Sequence, residues 1–435
     1  MYYFIGIKGS GMASLACILY DLGYEVKGSD LERHFFTEDE LKKRKIEVLP
    51  FSEDNIKDGM SVIIGNAFKD DFSEVKAIAK RKNIKSWRYH EFLGEFIKAY
   101  QSFAIAGSHG KTTTTGMLAA MLDYHQPTGY LIGDGSGHIT KEAINMVIEA
   151  DEYQRHFLAY YPDYAIITNV DLDHVDYFLD EEDYSKAYIE FSAQIKKKII
   201  LFGDDEKVRA LNIKDKCLYY GEHENNDVQA INIVESNTNM TFDVLYQKKL
   251  FGHFELPFVG RHLLWNSLSV ISIGILLDMT AKSINDGLAS FKGVKRRFVI
   301  QHIGDSTFVD DYAHHPTEVD VTIKAAKTRF PGRKIIAIFK PHRVSRVLRF
   351  GDEFAKALML ADEVCLCPFT SIDDQEEGID IDITYLQNKI PNSYIVEENE
   401  IDAKMLADMG PAVYLFMSSK DIYGLSDLVK NYQKD

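Results

Sequence analysis

The chain has 435 residues, a length that predicts two to four domains rather than a single core. Hydrophobic residues make up 46% and charged residues 27%, as in ordinary globular proteins, and the formal net charge of -16 argues against nonspecific binding to nucleic acid or anionic lipid. The four cysteines form no CxxC pair, which argues against a disulfide framework or a structural zinc. With no leader-like segment and no apolar run of membrane-spanning length, the sequence predicts a cytoplasmic protein.

The first elements predict a βαβ unit. A strand over 2–7 leads into the turn Gly6-Ile7-Lys8-Gly9-Ser10-Gly11, a helix follows, and a second strand ends at Asp30. The turn resembles the dinucleotide fingerprint GxGxxG, except that Lys8 occupies the middle glycine position. A glycine-rich helix N-terminus still suits a diphosphate, and Asp30 could accept a hydrogen bond from a ribose or a base. The alternative is a tight strand-to-helix turn without a ligand.

A second unit begins near residue 100 and carries the most informative motif. A strand over 103–106 runs into Gly107-Ser108-His109-Gly110-Lys111-Thr112-Thr113, and a helix with an apolar face follows. The glycines let backbone N–H groups turn toward phosphate oxygens, Lys111 supplies a positive charge, and Thr112 or Thr113 would place a hydroxyl on Mg²⁺. The loop is a short GxxGKT form, since Ile105 stands where GxxxxGK[ST] has its first glycine. These residues predict a nucleoside triphosphate site.

Two acidic clusters follow consecutive predicted strands. Glu149-Ala150-Asp151-Glu152 ends one strand, and Thr168-Asn169 with Asp173-His174 follows the strand over 164–167. A strand-end acid in such a domain commonly holds Mg²⁺, which suits Glu149 or Asp151, and His174 with its acidic neighbours indicates a possible second cation site. Either cluster alone could be a solvated strand end or turn. Their shared position after consecutive strands favours a functional role.

A third unit begins after residues 293–297. Strands are predicted over 306–309, 334–339, 363–367 and 412–417, with a helix over 318–328. The acids and imidazoles of 310–316 predict substrate contact rather than metal binding. Arg343 and Arg346, three residues apart, can share a helix face and bind a carboxylate or phosphate, although a solvated helix start is the alternative.

The motifs occur in the order found in the Mur ligases, which the chain resembles along nearly its whole length. Those that carry the resemblance are Gly107 to Thr115, Glu149-Ala150-Asp151-Glu152, Thr168-Asn169 with Asp173-His174, Gly260-Arg261-His262 with Asn266, Arg296-Arg297-Phe298, Asp310 to Pro316, and Pro341 to Arg346. The resemblance is strongest to the branch that joins L-alanine to UDP-N-acetylmuramate. It implies an α/β protein of three domains: a Rossmann-like domain for the UDP-sugar (1–99), a central P-loop ATPase domain with a mainly parallel sheet (100–295), and a Rossmann-like α/β domain for the amino acid (296–435).

The resemblance also implies roles for individual residues. The proposed catalytic set is Lys111, Glu149, His174, Arg297 and His314. ATP would be bound by Gly107, Ser108, His109, Gly110, Lys111, Thr112, Thr113, Asn266, Arg297 and Asp311. Mg²⁺ would be held by Thr112, Glu149 and His174. The UDP-sugar would contact Gly9, Ser10, Gly11 and Asp30, and L-alanine would contact Tyr312, His314, Arg343 and Arg346.

The implied reaction uses ATP and Mg²⁺ and proceeds through an acyl phosphate, without nucleic acid, membrane or an obligate protein partner. Three departures from the family pattern stand out: Lys8 replaces a glycine, Leu263 and Trp265 interrupt the GxHNxxN run, and Ser418-Ser419-Lys420-Asp421-Ile422 replaces a GAGDI-like turn. Three rivals remain. They are a related ligase that attaches a whole peptide to the same UDP-sugar, an NAD-dependent oxidoreductase and a nonenzymatic nucleotide switch.

Overall fold

The computed structural model describes residues 1–33, 35, 37–175, 177–370 and 379–434. It divides into two compact units, one of residues 1–233, 241–255 and 265–292, the other of 234–240, 256–264 and 293–435. Three sheets with interleaved helices confirm the predicted three-domain α/β class. Among the described helices, none is both long and apolar enough to cross a membrane.

The N-terminal part of the first unit is built on a parallel sheet with the order β3-β2-β1-β4-β5. Its strands are β1 (Tyr2–Ile5), β2 (Val26–Ser29), β3 (Glu47–Leu49), β4 (Ser61–Ile64) and β5 (Lys85–Arg88). Its helices are α1 (Ser10–Asp21), α2 (Glu38–Lys43), α3 (Ser73–Ile78) and α4 (Tyr89–Phe96). The strand order reverses at β1, so a ligand crevice is expected at the carboxyl end of β1, where the predicted glycine turn lies.

A larger sheet follows, with the order β15-β14-β13-β12-β11-β10-β6-β9-β7-β8 over the described residues. Its strands are β6 (Gln101–Ala106), β7 (Thr128–Leu131), β8 (Gly137–His138), β9 (Asn145–Glu149), β10 (Tyr164–Ile167), β11 (Lys198–Phe202), β12 (Cys217–Gly221), β13 (Val228–Glu235), β14 (Met240–Tyr246) and β15 (Lys249–Leu256). The helices of this stretch are α5 (Lys111–Asp123), α6 (Glu181–Ala193), α7 (Glu206–Ala210), α8 (Arg261–Leu276) and α9 (Ala281–Ala289).

Strand β6 lies between β9 and β10 and runs parallel to both. Ala106 pairs with Ile167, and Ile105 pairs with Glu149, so the three strands end at the same edge of the sheet. Helix α5 packs through the apolar face that the sequence predicted, since Met117, Leu118, Met121 and Leu122 are all buried. Burying such a side chain stabilises the fold by about 1.5–3 kcal/mol, so a packed strand and helix hold the loop between them.

The second unit contains a sheet with the order β16-β17-β21-β18-β19-β20, parallel except for the β16–β17 pair. Its strands are β16 (Val299–Ile303), β17 (Ser306–Asp311), β18 (Ile335–Phe339), β19 (Glu363–Leu366), β20 (Tyr394–Ile395) and β21 (Val413–Met417). Its helices are α10 (Pro316–Arg329), α11 (Val344–Arg349), α12 (Gly351–Leu358), α13 (Thr384–Gln387), α14 (Glu400–Asp408) and α15 (Tyr423–Tyr432). Met417 pairs with both Asp311 and Phe339, so β17, β18 and β21 end together.

The predicted elements are present, with ends shifted by a few residues. Helix α10 begins at Pro316 rather than 318, because Pro316 occupies its first position and His315 caps it. The proposed domain boundaries at 99 and 295 stay predictions.

Candidate active site

The loop between β6 and α5 has the backbone that its glycines predicted. Gly107 has φ +130° and Gly110 has φ +81°, conformations that side chains rarely adopt. A Cβ atom on Gly107 would lie 2.1 Å from Thr168 Oγ1, so the loop also packs closely against the segment that follows β10. The loop ends at the N-terminus of α5, where free backbone N–H groups and the helix dipole favour an anion.

Lys111 lies in this loop with its ammonium held by the protein. Nζ donates hydrogen bonds to the carbonyl oxygens of Gly107 and Ser108 and forms an ion pair with Glu152, 2.9 Å from Oε2. Burial disfavours the charged form, but the carboxylates of Glu152, Glu149 and Asp151 outweigh it and raise the pKa of Lys111. Lys111 is therefore a permanent positive charge at the loop.

Thr112 and Glu149 lie together, as the magnesium prediction requires. Thr112 Oγ1 donates to Glu149 Oε1 over 3.1 Å, and the backbone N–H of Gly133 donates to Glu149 Oε2 over 2.7 Å. A hydroxyl beside a carboxylate at the end of a parallel strand is a donor set that Mg²⁺ prefers. Thr113 is half-buried on the same turn, and its role stays a prediction.

Asp151, Glu152 and His174 form a second cluster, in which one ligand atom from each lies within 4.8 Å of the others. His174 Nε2 lies 3.7 Å from Glu152 Oε1. Burial raises the pKa of Asp151, but His156, His174 and Lys111 together reverse the effect and lower it, so the carboxylate stays ionised. The sequence left Glu149 and Asp151 open as cation ligands; the structure places Glu149 beside Thr112 and Asp151 beside His174.

The segment after β10 contacts the loop of residues 107–110. Asn169 accepts from the N–H of His109 over 2.8 Å and donates to the carbonyl of His109 over 3.0 Å. Asn266 borders the same loop, since a Cβ atom on Gly110 would lie 3.0 Å from Asn266 Oδ1. Asn266, which the sequence proposes as a nucleotide contact, is thus adjacent to the loop of residues 107–110, despite the interrupted motif around it.

Lys8, the residue that departs from the glycine pattern, is only 4% exposed and braces the segment after β2. Its Nζ donates to the carbonyl oxygens of Leu31 and Arg33 and forms an ion pair with Glu38. The Lys8 side chain therefore links the glycine turn to the segment after β2.

The residues proposed for the UDP-sugar lie around this turn: Gly9, Ser10 and Gly11 are at the start of α1, and Asp30 directly follows β2. Asp30 accepts from the backbone N–H groups of Lys8 and Leu31 over 2.7 and 2.8 Å. Gly9 immediately precedes α1, whose first residue is Ser10. A Cβ atom on Gly11 would lie 2.5 Å from Tyr89 Oη, so a side chain at 11 would displace that tyrosine. The contacts of these residues with a UDP-sugar stay predictions.

In the second unit, Glu318 joins several predicted site residues, although the sequence did not single it out. Its Oε1 lies 3.4 Å from Arg297 Nη1, and its Oε2 accepts from the N–H of His314 over 3.0 Å. The Arg297 guanidinium lies 5.1 Å from the ring centre of Tyr312, within cation–π range. The available signal was its place as the third residue of α10, where a glutamate completes a capping box.

Asp311 ends β17 and shapes the following loop. Its carboxylate accepts from the N–H groups of Phe298 and Ala313, each over 2.8 Å. Burial raises its pKa, and the nearby charge of Arg297 opposes that change. Asp311 holds the loop that carries Tyr312 and His314, and its contact with a nucleotide stays a prediction.

Arg343 and Arg346 flank the start of α11. Arg343 precedes the helix with φ +67°, and Arg346 is only 4% exposed, which contradicts the alternative of a solvated helix start. Burial, followed by the charges of Lys420, His314 and the two arginines, lowers the pKa of His342 to about 2. This end of the sheet therefore presents arginine charge beside an imidazole that stays neutral.

Family models match three successive parts of the chain. They describe the Mur ligase family catalytic domain over residues 1–101, the Mur ligase middle domain over 105–274, and the Mur ligase glutamate ligase domain over 296–416. The UDP-N-acetylmuramate–L-alanine ligase of Lactiplantibacillus plantarum is 44% identical over 434 residues, which cover 100% of this chain and 99% of that protein. The chain belongs to the Mur ligase family.

Solved Mur ligase structures agree with this membership. The UDP-N-acetylmuramate-alanine ligase MurC of Thermotoga maritima is 27% identical, covers 99% of both chains and superposes with a TM-score of 0.81. The UDP-N-acetylmuramate:L-alanyl-gamma-D-glutamyl-meso-diaminopimelate ligase of Neisseria meningitidis is also 27% identical, with a TM-score of 0.60 over 68% of this chain and 99% of that one. The fold of this Mur ligase is thus the family fold along its whole length.

Proposed function

We propose that this Mur ligase joins L-alanine to the carboxylate of UDP-N-acetylmuramate at the expense of ATP. The products are UDP-N-acetylmuramoyl-L-alanine, ADP and phosphate, in peptidoglycan precursor synthesis. The observation that carries the proposal is the meeting of Lys111, Thr112 and Glu149 at the carboxyl ends of β6 and β9, in a chain 44% identical to an L-alanine ligase over its full length.

The chemistry needs ATP because a free carboxylate has no adequate leaving group for attack by an amine. A carboxylate oxygen of the sugar acid attacks the γ-phosphorus in line, ADP leaves, and an acyl phosphate forms. The neutral amine of L-alanine then attacks the acyl carbon, and the tetrahedral intermediate expels phosphate while the nitrogen loses a proton. Lys111 offsets the negative charge that builds on the transferring phosphoryl oxygens. Arg297 is proposed for the same role at the γ-phosphate.

Mg²⁺ is the proposed cation, and the residues present fit it. Thr112 with Glu149 forms one set of oxygen donors, and Asp151, Glu152 and His174 form a second group. When bound, Mg²⁺ would neutralise charge on the phosphate oxygens. Lys111 and the loop N–H groups orient the same oxygens from the protein side.

L-alanine is proposed to bind at the arginine-bearing end of the second unit's sheet. Arg343 and Arg346 would bind its carboxylate, since a guanidinium can bind two oxygens at once. Tyr312 would line this site, and His314 would orient the amine or accept its proton. Two arginines suit a small free carboxylate better than a whole peptide.

Replacing Arg346 with lysine tests the amino-acid site. The variant keeps a positive charge but loses the bidentate geometry, so we expect the KM for L-alanine to rise about 10- to 100-fold, equivalent to about 1.5–3 kcal/mol for a hydrogen bond to a charged group. The KM for ATP should change little. Arg349→Lys, on the exposed side of the same helix, is the matched control. An unchanged KM for L-alanine in Arg346→Lys would exclude this residue from the site.

The proposed reaction is tested by measuring phosphate release with ATP, Mg²⁺ and UDP-N-acetylmuramate, with and without L-alanine. Sustained release only when L-alanine is present supports the ligase. Release without any amino acid would indicate a nucleotide switch, and release only with a peptide would indicate the peptide-attaching ligase. A cytoplasmic location and independence from a partner protein stay predictions.

A further inference from the structure

Glu152, the last acid of the cluster after β9, belongs to the candidate cation group with Asp151 and His174, and it also forms an ion pair with Lys111 that the proposed reaction does not use. Its side chain is 1% exposed, and its carboxylate lies against the Lys111 ammonium, with Oε1 at 3.2 Å and Oε2 at 2.9 Å. A buried carboxylate is stable only while it is paired and hydrogen-bonded. Any step that removes the ammonium therefore needs another group to stabilise Glu152.

Two tyrosines of α6 lie behind this carboxylate. Tyr184 Oη is 3.3 Å from Glu152 Oε1, 2.9 Å from Ser108 Oγ and 3.2 Å from Tyr188 Oη. Both tyrosines are buried, and burial, followed by the charge of Glu152, raises the pKa of each phenol well above its usual value. Each therefore stays protonated and keeps a single hydrogen to donate.

The single hydroxyl hydrogen of Tyr184 has two possible acceptors, Ser108 Oγ and Glu152 Oε1. Ser108 Oγ lies 2.6 Å from the carbonyl oxygen of Asp171, which can only accept, so the serine hydrogen is used there. The backbone N–H of Asp171 donates to Ser108 Oγ over 2.9 Å. Tyr184 must then act as the donor toward Ser108, and the alternative target for its hydrogen is Glu152 Oε1. Tyr188 can donate to the oxygen of Tyr184.

The position of the Lys111 ammonium determines whether Glu152 needs the hydrogen bond from Tyr184. Its ammonium contacts the carbonyl oxygens of Gly107 and Ser108 as well as Glu152, so its three N–H donors are used within the protein. A triphosphate in the loop must take one of these places. The carboxylate of Glu152 competes with phosphate for the Lys111 ammonium. When the ammonium binds phosphate instead, Glu152 loses the hydrogen bonds that Lys111 donated to it.

We propose that Tyr184, supported by Tyr188, is a positioning residue that lets Glu152 act as an exchangeable counter-ion of Lys111. Without nucleotide, Lys111 satisfies Glu152, and Tyr184 donates to the nearer Ser108. With nucleotide bound, Lys111 contacts phosphate and Tyr184 donates to Glu152, which remains fixed beside His174. The inference rests on the proposed function only in that the loop binds ATP.

Tyr184→Phe is the direct test, because the rings are already packed by aromatic neighbours. Phe178 lies 4.8 Å from the Tyr184 ring, and Phe157 lies 5.4 Å from the Tyr188 ring, so phenylalanine keeps the packing and removes only the hydroxyl. We expect the affinity for a nonhydrolysable ATP analogue, measured by calorimetry with Mg²⁺, to fall about tenfold, as for loss of one hydrogen bond to a charged group. The KM for ATP should rise similarly while kcat and the KM for UDP-N-acetylmuramate change less than about twofold.

A double-mutant cycle with Glu152→Gln separates this role from general damage. Since Tyr184 acts through the charge of Glu152, Tyr184→Phe should cause no further loss of analogue affinity in the Glu152→Gln background. Wild-type affinity in Tyr184→Phe, or the same tenfold loss in both backgrounds, would overturn the proposal. Should Tyr184→Phe fold poorly, Tyr188→Phe replaces it in the cycle. We then expect the affinity for the analogue to fall about threefold, and to show no such fall in the Glu152→Gln background. An undiminished affinity, or an equal loss of affinity in both backgrounds, would overturn the proposal.

The same protein preparations distinguish this inference from the proposed function. If wild-type protein binds the analogue but releases no phosphate in response to L-alanine, the proposed ligation is wrong. The effect of Tyr184 on analogue affinity is still tested by the double-mutant cycle.

Discussion

Replacing Lys111 with alanine will abolish ligation, with kcat/KM falling by at least about 10³-fold, since the change removes the charge proposed to offset that of the transferring phosphoryl group. It also removes the partner of Glu152, which is 1% exposed. Breaking a buried ion pair from one side costs about 3–5 kcal/mol of stability. Steady-state rates at saturating substrates and the free energy of unfolding should therefore both be measured.

Two controls separate chemistry from folding in that experiment. Lys214→Ala changes an exposed lysine of the same unit and should leave rate and stability unchanged. Lys111→Ala combined with Glu152→Gln no longer buries an unpaired charge, so stability should recover while ligation stays lost. A folded Lys111→Ala protein with more than about a tenth of the wild-type kcat/KM would contradict the role of Lys111.

Glu149→Gln is expected to lower turnover about 10²- to 10³-fold and to raise the Mg²⁺ concentration needed for half-maximal activity. The glutamine keeps the size of the side chain and an oxygen that can accept from Thr112, but it lacks the negative charge of a cation ligand. A magnesium titration of the initial rate measures both effects. Glu142→Gln, at an exposed acid before β9, serves as the matched control. An unchanged magnesium midpoint in Glu149→Gln would place the cation elsewhere.

The sequence was sufficient to predict features that depend on residues close together in the chain. The glycines, lysine and threonines of 107–113 are contiguous, so one loop motif was enough to predict the turn and the start of α5. Apolar runs predicted β6, β9 and β10, and parallel pairing explains why Thr112 and Glu149 meet although 37 residues separate them. The Mur ligase resemblance supplied the order of domains, which propensity alone does not give.

The remaining features depend on contacts between distant residues. The ion pair of Lys111 with Glu152 follows from how deeply the strand end is buried, and a run of three acids does not show which one turns inward. Tyr184 lies 32 residues beyond Glu152, on a helix that carries none of the predicted motifs. Glu318 completes the capping box of α10, and only the folded loop reveals that it also contacts Arg297 and His314.

Lys8 shows that a residue that departs from a motif can have a structural role of its own. At the level of sequence, a lysine in place of a glycine weakens the prediction of a diphosphate site. In the structure its ammonium is satisfied by two carbonyl oxygens and Glu38, so the replacement stabilises the segment after β2. Burial and partners, not residue type, decide what such a substitution does.

The proposed acyl phosphate is tested by following an oxygen atom from the sugar carboxylate to the released phosphate. UDP-N-acetylmuramate labelled with ¹⁸O in its carboxylate is incubated with ATP, Mg²⁺ and L-alanine, and the released phosphate is analysed by mass spectrometry. Transfer of the sugar acid's oxygen to phosphorus predicts one ¹⁸O in each phosphate released. Unlabelled phosphate formed along with the amide would show that the γ-phosphoryl group never reached the carboxylate, and would contradict the proposed reaction.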